Sequence, residues 1–199
     1  MTLPNLLLYC IVAALMACAV RDSAPEAEAS PTPDAQRRLV IDFRQTDEAA
    51  RWRVVDDVVM GGVSSSRVVR TTEGSCAFEG TVSLANNGGF ASVRTDGERC
   101  SLEGATTIVL RVRGDGNDYR VRLRDDVVYD MPSWQATFPT VAGEWTEVDL
   151  PLADFELKWR GRSVGGPPLV PAAVRSIGLV IADKQAGEFR LELAELSVR

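Results

Sequence analysis

The sequence predicts an all-β fold, a β-sandwich or jelly roll. Three observations lead there. No stretch carries a long helical period; about eight or nine short strand-like runs recur at roughly regular spacing from residue 38 onward; and clusters of Gly, Asn and Asp fall between them. The first run is Leu39-Val40-Ile41-Asp42-Phe43. Residues 76–85 alternate loosely and meet Asn86-Asn87-Gly88-Gly89, a turn signal that makes 90–95 the expected partner strand. Residues 107–113 and 119–124 flank Gly114-Asp115-Gly116-Asn117-Asp118 and are expected to form a hairpin. Runs at 135–138, 145–150, 176–182 and 189–198 complete the set. Residues 156–173, with Gly161, Gly165, Gly166, Pro167, Pro168 and Pro171, read as an irregular surface loop and a candidate functional one.

The expected hairpin carries unusual charge. In a strand, successive side chains point to opposite faces. Ile108, Leu110 and Val112 therefore share one face, and Arg111 and Arg113 the other. On the return strand Tyr119, Val121 and Leu123 oppose Arg120, Arg122 and Arg124. If the two strands pair, five arginines line one sheet face. Like charges so close need partners, and Glu192 in the last run is placed to supply one. The face is either a solvated surface with structural ion pairs or a groove for an acidic or hydroxyl-rich ligand, because guanidinium forks suit carboxylates and sugar hydroxyls.

The tryptophans divide in the same way. Trp52 and Trp145 sit in strand-like contexts and are expected in the core. Trp134 and Trp159 sit in or beside loops, where an indole either packs structurally or stacks on a sugar or anchors a partner. Tyr119 and Arg160 join these as candidate binding residues.

Residues 3–17 are apolar and too short for a comfortable transmembrane helix, which needs about 20 apolar residues. They fit the h-region of a signal peptide. The run ends Leu15-Met16-Ala17-Cys18, which resembles a bacterial lipobox, so Cys18 is the expected lipidation site. Plain secretion and an uncleaved anchor are the alternatives, since no Lys or Arg precedes the apolar run. Residues 19–37 are rich in Ala, Pro, Ser, Glu and Asp and lack aromatics, as a flexible tether requires. The expected organisation is a signal over 1–18, a linker over 19–37 and a sandwich over 38–199. A lipid-anchored place in the bacterial cell envelope follows.

Cys76 and Cys100 are then the only cysteines of the folded part. In an oxidising compartment they are expected to bridge, closing a loop of about 25 residues worth roughly 3.5 kcal/mol in the chain-entropy model. Two free, buried thiols are the alternative.

The chain has no histidine, which removes the usual near-neutral general base and histidine metal sites. Its net charge of -6 argues against general nucleic-acid binding. Asp56-Asp57 and Asp125-Asp126 supply carboxylates suited to glycoside hydrolysis, but no supporting motif accompanies them. Acidic residues are plentiful enough for calcium, yet no EF-hand spacing appears, so no metal or cofactor is assigned.

A distinctive stretch runs Trp52-Arg53-Val54-Val55-Asp56-Asp57-Val58-Val59-Met60-Gly61-Gly62-Val63-Ser64. Further blocks follow in order: Phe78-Glu79-Gly80 with Asn86-Asn87-Gly88-Gly89-Phe90-Ala91-Ser92-Val93-Arg94; Arg113-Gly114-Asp115-Gly116 with Tyr119; Leu150-Pro151 with Asp154-Phe155; Trp159-Arg160-Gly161; and Ser176-Ile177-Gly178-Leu179 with Gly187, Phe189 and Leu191. Together they resemble the NADH:ubiquinone oxidoreductase (complex I) intermediate-associated protein family. The resemblance implies a galactose-binding-domain-like jelly roll, and its mitochondrial members assist assembly of respiratory complex I. In the signature, Asp57 and Ser64 are placed to hydrogen-bond turn backbone, and Met60 is core or an adaptable contact. These loops either serve structure alone or form a shared binding surface.

The expectation is a non-catalytic binding module with a protein partner, an interaction or assembly factor. A carbohydrate-binding sandwich is the alternative.

Overall fold

The computed structural model describes residues 37–95, 100–125 and 131–199. The expected signal, Cys18 and residues 19–36 of the expected tether lie outside these, as does Asp126. Arg37, the last residue of that tether, is tied to the folded body: it donates to Ser197 Oγ at 2.6 Å, Glu147 at 2.7 Å and Glu195 at 2.9 Å.

Among the described residues, thirteen strands form two antiparallel sheets. Sheet A contains β1 (Arg38–Asp42), β3 (Ser65–Arg70), β4 (Cys76–Val82), β6 (Thr107–Arg113), β9 (Trp145–Pro151) and β13 (Gly187–Val198), in the order β3-β4-β13-β6-β9 with β1 also on β13. Sheet B contains β2 (Trp52–Val54), β5 (Ala91–Thr95), β7 (Asp118–Arg124), β8 (Ser133–Pro139), β10 (Glu156–Trp159), β11 (Arg162–Ser163) and β12 (Ser176–Ile181), in the order β11-β10-β8-β7-β12-β5-β2. The all-β expectation holds.

The core follows the two-residue period. Ile108, Leu110 and Val112 of β6 and Leu191 and Leu193 of β13 face inward from sheet A. Tyr119, Val121 and Leu123 of β7 and Ile177, Leu179 and Ile181 of β12 face inward from sheet B. Phe189 joins the layers, edge-on to Phe78 at 4.9 Å and 6.5 Å from Tyr119 between ring centroids. Each large apolar side chain buried here contributes about 1.5–3 kcal/mol.

Two expected hairpins do not form. β6 pairs with β13 and β9, whereas β7 pairs with β12 and β8. β4 pairs with β3 and β13, whereas β5 pairs with β12 and β2. The turn-rich segments between them carry the chain from one sheet to the other. Asp115 stabilises one such crossing by accepting from the Tyr119 hydroxyl at 3.0 Å and the Arg190 amide at 2.7 Å. The five arginines are therefore split between two outer faces.

The segment 156–173 is also more ordered than expected. β10 and β11 form a tight hairpin, with Arg160 and Gly161 at positive φ in its turn. The expected disulfide is absent. Cys76 and Cys100 are both free and buried. The Cys76 thiol donates to the Phe43 carbonyl at 3.3 Å, while Cys100 sulfur lies 3.4 Å from the Thr95 hydroxyl, so each has its own neighbour. Burial pushes both thiols above their ordinary pKa, which keeps them protonated.

Candidate functional site

A cleft of about 560 Å³ crosses the outer face of sheet B. Its floor is built from the outward positions of β5, β7, β8 and β12. Register places Arg94, Gly178, Arg122 and Gln135 in one transverse row. One wall is the 3-10 turn Asp57–Met60 together with Gly88, Gly89 and Phe90. The opposite wall is the tip of the β10–β11 hairpin, with Lys158, Trp159 and Arg160.

The first wall is held by one carboxylate. Asp57 Oδ1 accepts from the Ser64 amide at 2.9 Å; Oδ2 accepts from the Ser64 hydroxyl at 2.6 Å, the Gly89 amide at 2.7 Å and the Phe90 amide at 3.3 Å. Burial alone raises the pKa of this group. The hydrogen bonds from Ser64, Gly89 and Phe90 outweigh it and hold the carboxyl below its ordinary value. The glycines of the signature make room for this knot. A Cβ at Gly62 would sit 2.4 Å from the Asp57 carboxyl carbon, and one at Gly88 would sit 2.5 Å from Oδ2. Asp56 is likewise occupied, accepting from Ser66 Oγ at 2.8 Å and the Ser92 amide at 3.0 Å. Neither carboxylate of this pair faces the cleft as a free acid or base. Clamped from below, the loop presents Val58, Val59, Met60 and Val63 to solvent, each more than half exposed.

Among the described residues, most of the charged side chains that line the cleft are basic. Among the described lining residues, Arg94, Arg120, Arg122, Arg124, Lys158 and Arg160 are basic and Asp183 alone is acidic. Arg120 pairs with Asp183, and Arg124 donates to the Met131 carbonyl at 3.1 Å. Arg160 stacks over Trp159 with its guanidinium 4.9 Å from the ring centroid. Buried polar atoms of the floor with no hydrogen-bond partner in the protein include Arg120 Nε, a donor, and Gln135 Oε1, an acceptor. Buried polar groups in folded proteins are nearly always paired, with protein or with ordered water.

Of the residues singled out in the sequence, Met60, Arg122, Arg124, Trp159 and Arg160 meet in this cleft. Asp57 and Ser64 lie beneath its wall and shape it. Tyr119 is fully buried in the core and presents no surface to the cleft; burial, with the Asp115 carboxylate beside it, pushes its phenol far above the ordinary value. Trp134 is also buried; β8 turns it inward beside Ala136 and Phe138. Arg111 and Arg113 lie on sheet A, flanking Trp145 at 5.8 and 5.1 Å, and Arg113 also pairs with Glu73 at 2.9 Å and Glu192 at 2.8 Å. They form the structural ion-pair surface that was the alternative, with Glu192 as the expected partner. Trp145 is only half-buried beneath them rather than core. Sequence reasoning missed Arg94, Lys158 and Gln135. Their outward parity was available; the neighbouring order of the strands was not.

Fold and site together define a galactose-binding-like jelly-roll sandwich with a ligand-sized cleft on one sheet. The sequence profile of Complex I intermediate-associated protein 30 (CIA30) matches residues 41–193, and the chain belongs to that family. Complex I intermediate-associated protein 30, mitochondrial, from Mus musculus is 29% identical over 185 residues, covering 82% of this chain and 56% of the relative. The protein of the same name from Drosophila melanogaster is 27% identical over 179 residues, covering 78% and 60%. The chain thus spans little more than half the length of these curated relatives. Among solved structures, the family 11 carbohydrate-binding module of the cellulosomal cellulase Lic26A-Cel5E of Clostridium thermocellum superposes with a TM-score of 0.61 at 15% identity, covering 81% of this chain and 94% of the module. The same module in complex with a β-1,3-1,4-mixed-linked tetrasaccharide gives 0.57 at 16% identity, again covering 81% and 94%. At these identities the likeness is one of fold.

Proposed function

We propose that the chain is a non-catalytic binding module of the cell envelope, an interaction or assembly factor held at the membrane through a lipid on Cys18. The observation that carries the interaction reading is the clamped apolar loop beside the cleft. Val58, Val59, Met60 and Val63 are held outward by a buried carboxylate rather than by contact with the core. Rigid exposed apolar groups beside a polar rim are the usual anatomy of a protein interface. Family membership supports the same reading, since the curated relatives are named for association with complex I intermediates.

Crosslinking and pull-down from membranes test it. Wild type is expected to recover a discrete protein partner, and Met60→Asp to lose it while retaining the wild-type melting temperature. Recovery of the protein alone from wild type would count against the interaction reading. Globomycin-sensitive labelling in the same cells reports whether Cys18 carries lipid.

A second reading, a carbohydrate-binding module, is favoured by the orphaned donor and acceptor on the cleft floor. A sugar hydroxyl both donates and accepts, which suits a floor that carries both kinds of unpaired atom. The exposed edge of Trp159 at the rim gives the apolar face of a sugar a surface to cover.

A further inference from the structure

We infer that the cleft on sheet B takes a neutral oligosaccharide, read by the side-chain carbonyl of Gln135, in spite of its basic lining. The inference rests on the carbohydrate reading and adds the charge of the ligand and the residue that selects it. Three observations carry it.

The first is that the cations of the cleft are already engaged. Arg120 pairs with Asp183, and Lys158 pairs with Glu156 at 3.2 Å. Arg124 donates to the Met131 carbonyl, and Arg160 lies over the Trp159 ring. Arg94 and Arg122 have interactions of their own within the protein. An anion entering the cleft has to displace such partners and shed its own water. A neutral ligand leaves them in place.

The second is Gln135. It lines the cleft yet is only 5% exposed. Its Nε2 donates to Ser133 Oγ at 3.0 Å, while Oε1 accepts no hydrogen bond from the protein. A carbonyl oxygen can only accept. An ionised carboxylate or phosphate has no proton to give it; a hydroxyl has one. Register pairs Gln135 with Arg122, so Arg120 stands one step along the same face. Its Nε is a buried donor with no acceptor. Hydroxyls answer both needs, because each donates and accepts.

The third is the shape and polarity of the rest of the lining. Gly178 stands in the middle of the floor row, between Arg94 and Arg122. A Cβ there would lie 3.4 Å from the Arg94 Cβ and 3.8 Å from the Arg122 Cβ, so glycine keeps the floor low between two long side chains. Val59, Met60, Phe90, Met131 and Trp159 add apolar surface. A sugar ring lays its C–H face on such surface and turns its hydroxyls to the polar floor. A volume of about 560 Å³ is that of an ordinary small-molecule site.

The test is isothermal titration of the whole chain. The neutral probes are the mixed-linked β-glucan tetrasaccharide, β-1,4-galactotriose and agarotetraose; tetragalacturonate is the acidic probe. At least one neutral probe is expected to bind, about tenfold or more tighter than tetragalacturonate. Its affinity is expected to stay the same as salt rises from about 50 to about 500 mM, as for a ligand without charge. Gln135→Leu is expected to weaken it about tenfold, the loss of one buried hydrogen bond. Trp159→Ala, at the exposed rim, is expected to weaken it too and serves if Gln135→Leu melts early. Binding of tetragalacturonate as tightly as the neutral probes, or more so, overturns the neutral-ligand inference and leaves the carbohydrate reading standing. Binding of no probe removes both. Neutral binding unchanged in both folded variants places the site elsewhere and overturns the assignment of Gln135.

Discussion

Replacing Asp57 with alanine removes the acceptor of four donors at once: the Ser64 amide and hydroxyl and the amides of Gly89 and Phe90. Each buried donor left unsatisfied costs about 1–3 kcal/mol. With partial relaxation, a loss of about 3 kcal/mol in urea unfolding is expected. The pH dependence has a definite sign. The folded carboxyl titrates below its ordinary value of 3.8, so its contribution is complete above that pH and is lost as pH falls through the lower folded value. An acid titration of stability should show this limb in wild type and not in Asp57→Asn. Asp56 differs, because burial raises its pKa and its charged form is held less well. Asp56→Asn should therefore cost less at neutral pH than Asp57→Asn. The bonding role of Asp57 and Ser64 was legible from their residue types in a glycine-flanked turn. The fate of Tyr119 and Trp134 was legible too, from parity. Tyr119 shares a face with Val121 and Leu123, and Trp134 with Ala136 and Phe138, yet aromatic chemistry outweighed parity in the sequence reading.

At the scale of the strand, alternation fixes which side chains face inward but not which strand lies alongside. A hairpin and a crossing between sheets bury the same set from β6 and β7. That is why the strand positions were readable while the partners were not, and why the arginine face was drawn across two strands that never touch. The glycine and asparagine clusters mark where the chain turns in either case. On sheet A, the misplaced arginines resolve into a network: Glu192 lies between Arg113 at 2.8 Å and Arg190 at 3.1 Å, with Glu79 beyond. Burial alone raises the Glu192 carboxyl, and the Arg113 and Arg190 hydrogen bonds bring it below its ordinary value. Both arginines are partly exposed, so solvent screening limits the pair. A double-mutant cycle with Glu192→Gln and Arg113→Gln should give a favourable coupling at low salt that shrinks with added salt. A coupling indistinguishable from zero at low salt would remove the network from the account.

For the molecule as a whole, closure of the two sheets depends on packing and not on a covalent staple. Both cysteines are free, one in β4 of sheet A and one beyond the end of β5 of sheet B. Alkylation without reductant should leave both thiols untouched in the native protein. Both should be modified once the chain is unfolded in urea, with one equivalent on each of the two peptides that carry Cys76 and Cys100. Absence of label from both peptides in urea would show the bridge after all. Spacing in the sequence permitted a bridge; it could not show that each thiol has a polar neighbour of its own, the Phe43 carbonyl for Cys76 and the Thr95 hydroxyl for Cys100, which depends on the fold.

β13 lies in the interior of sheet A, with β4 and β1 along one edge and β6 along the other. It is also the last of the described strands in chain order. A ribosome delivers the strands from β1 onward, so β4 and β6 emerge with no partner between them and wait for a strand still to be made. Sheet A then assembles in one late step, through contacts far apart in the sequence. Until that step β4 and β6 keep an unpaired edge each, open to chaperones.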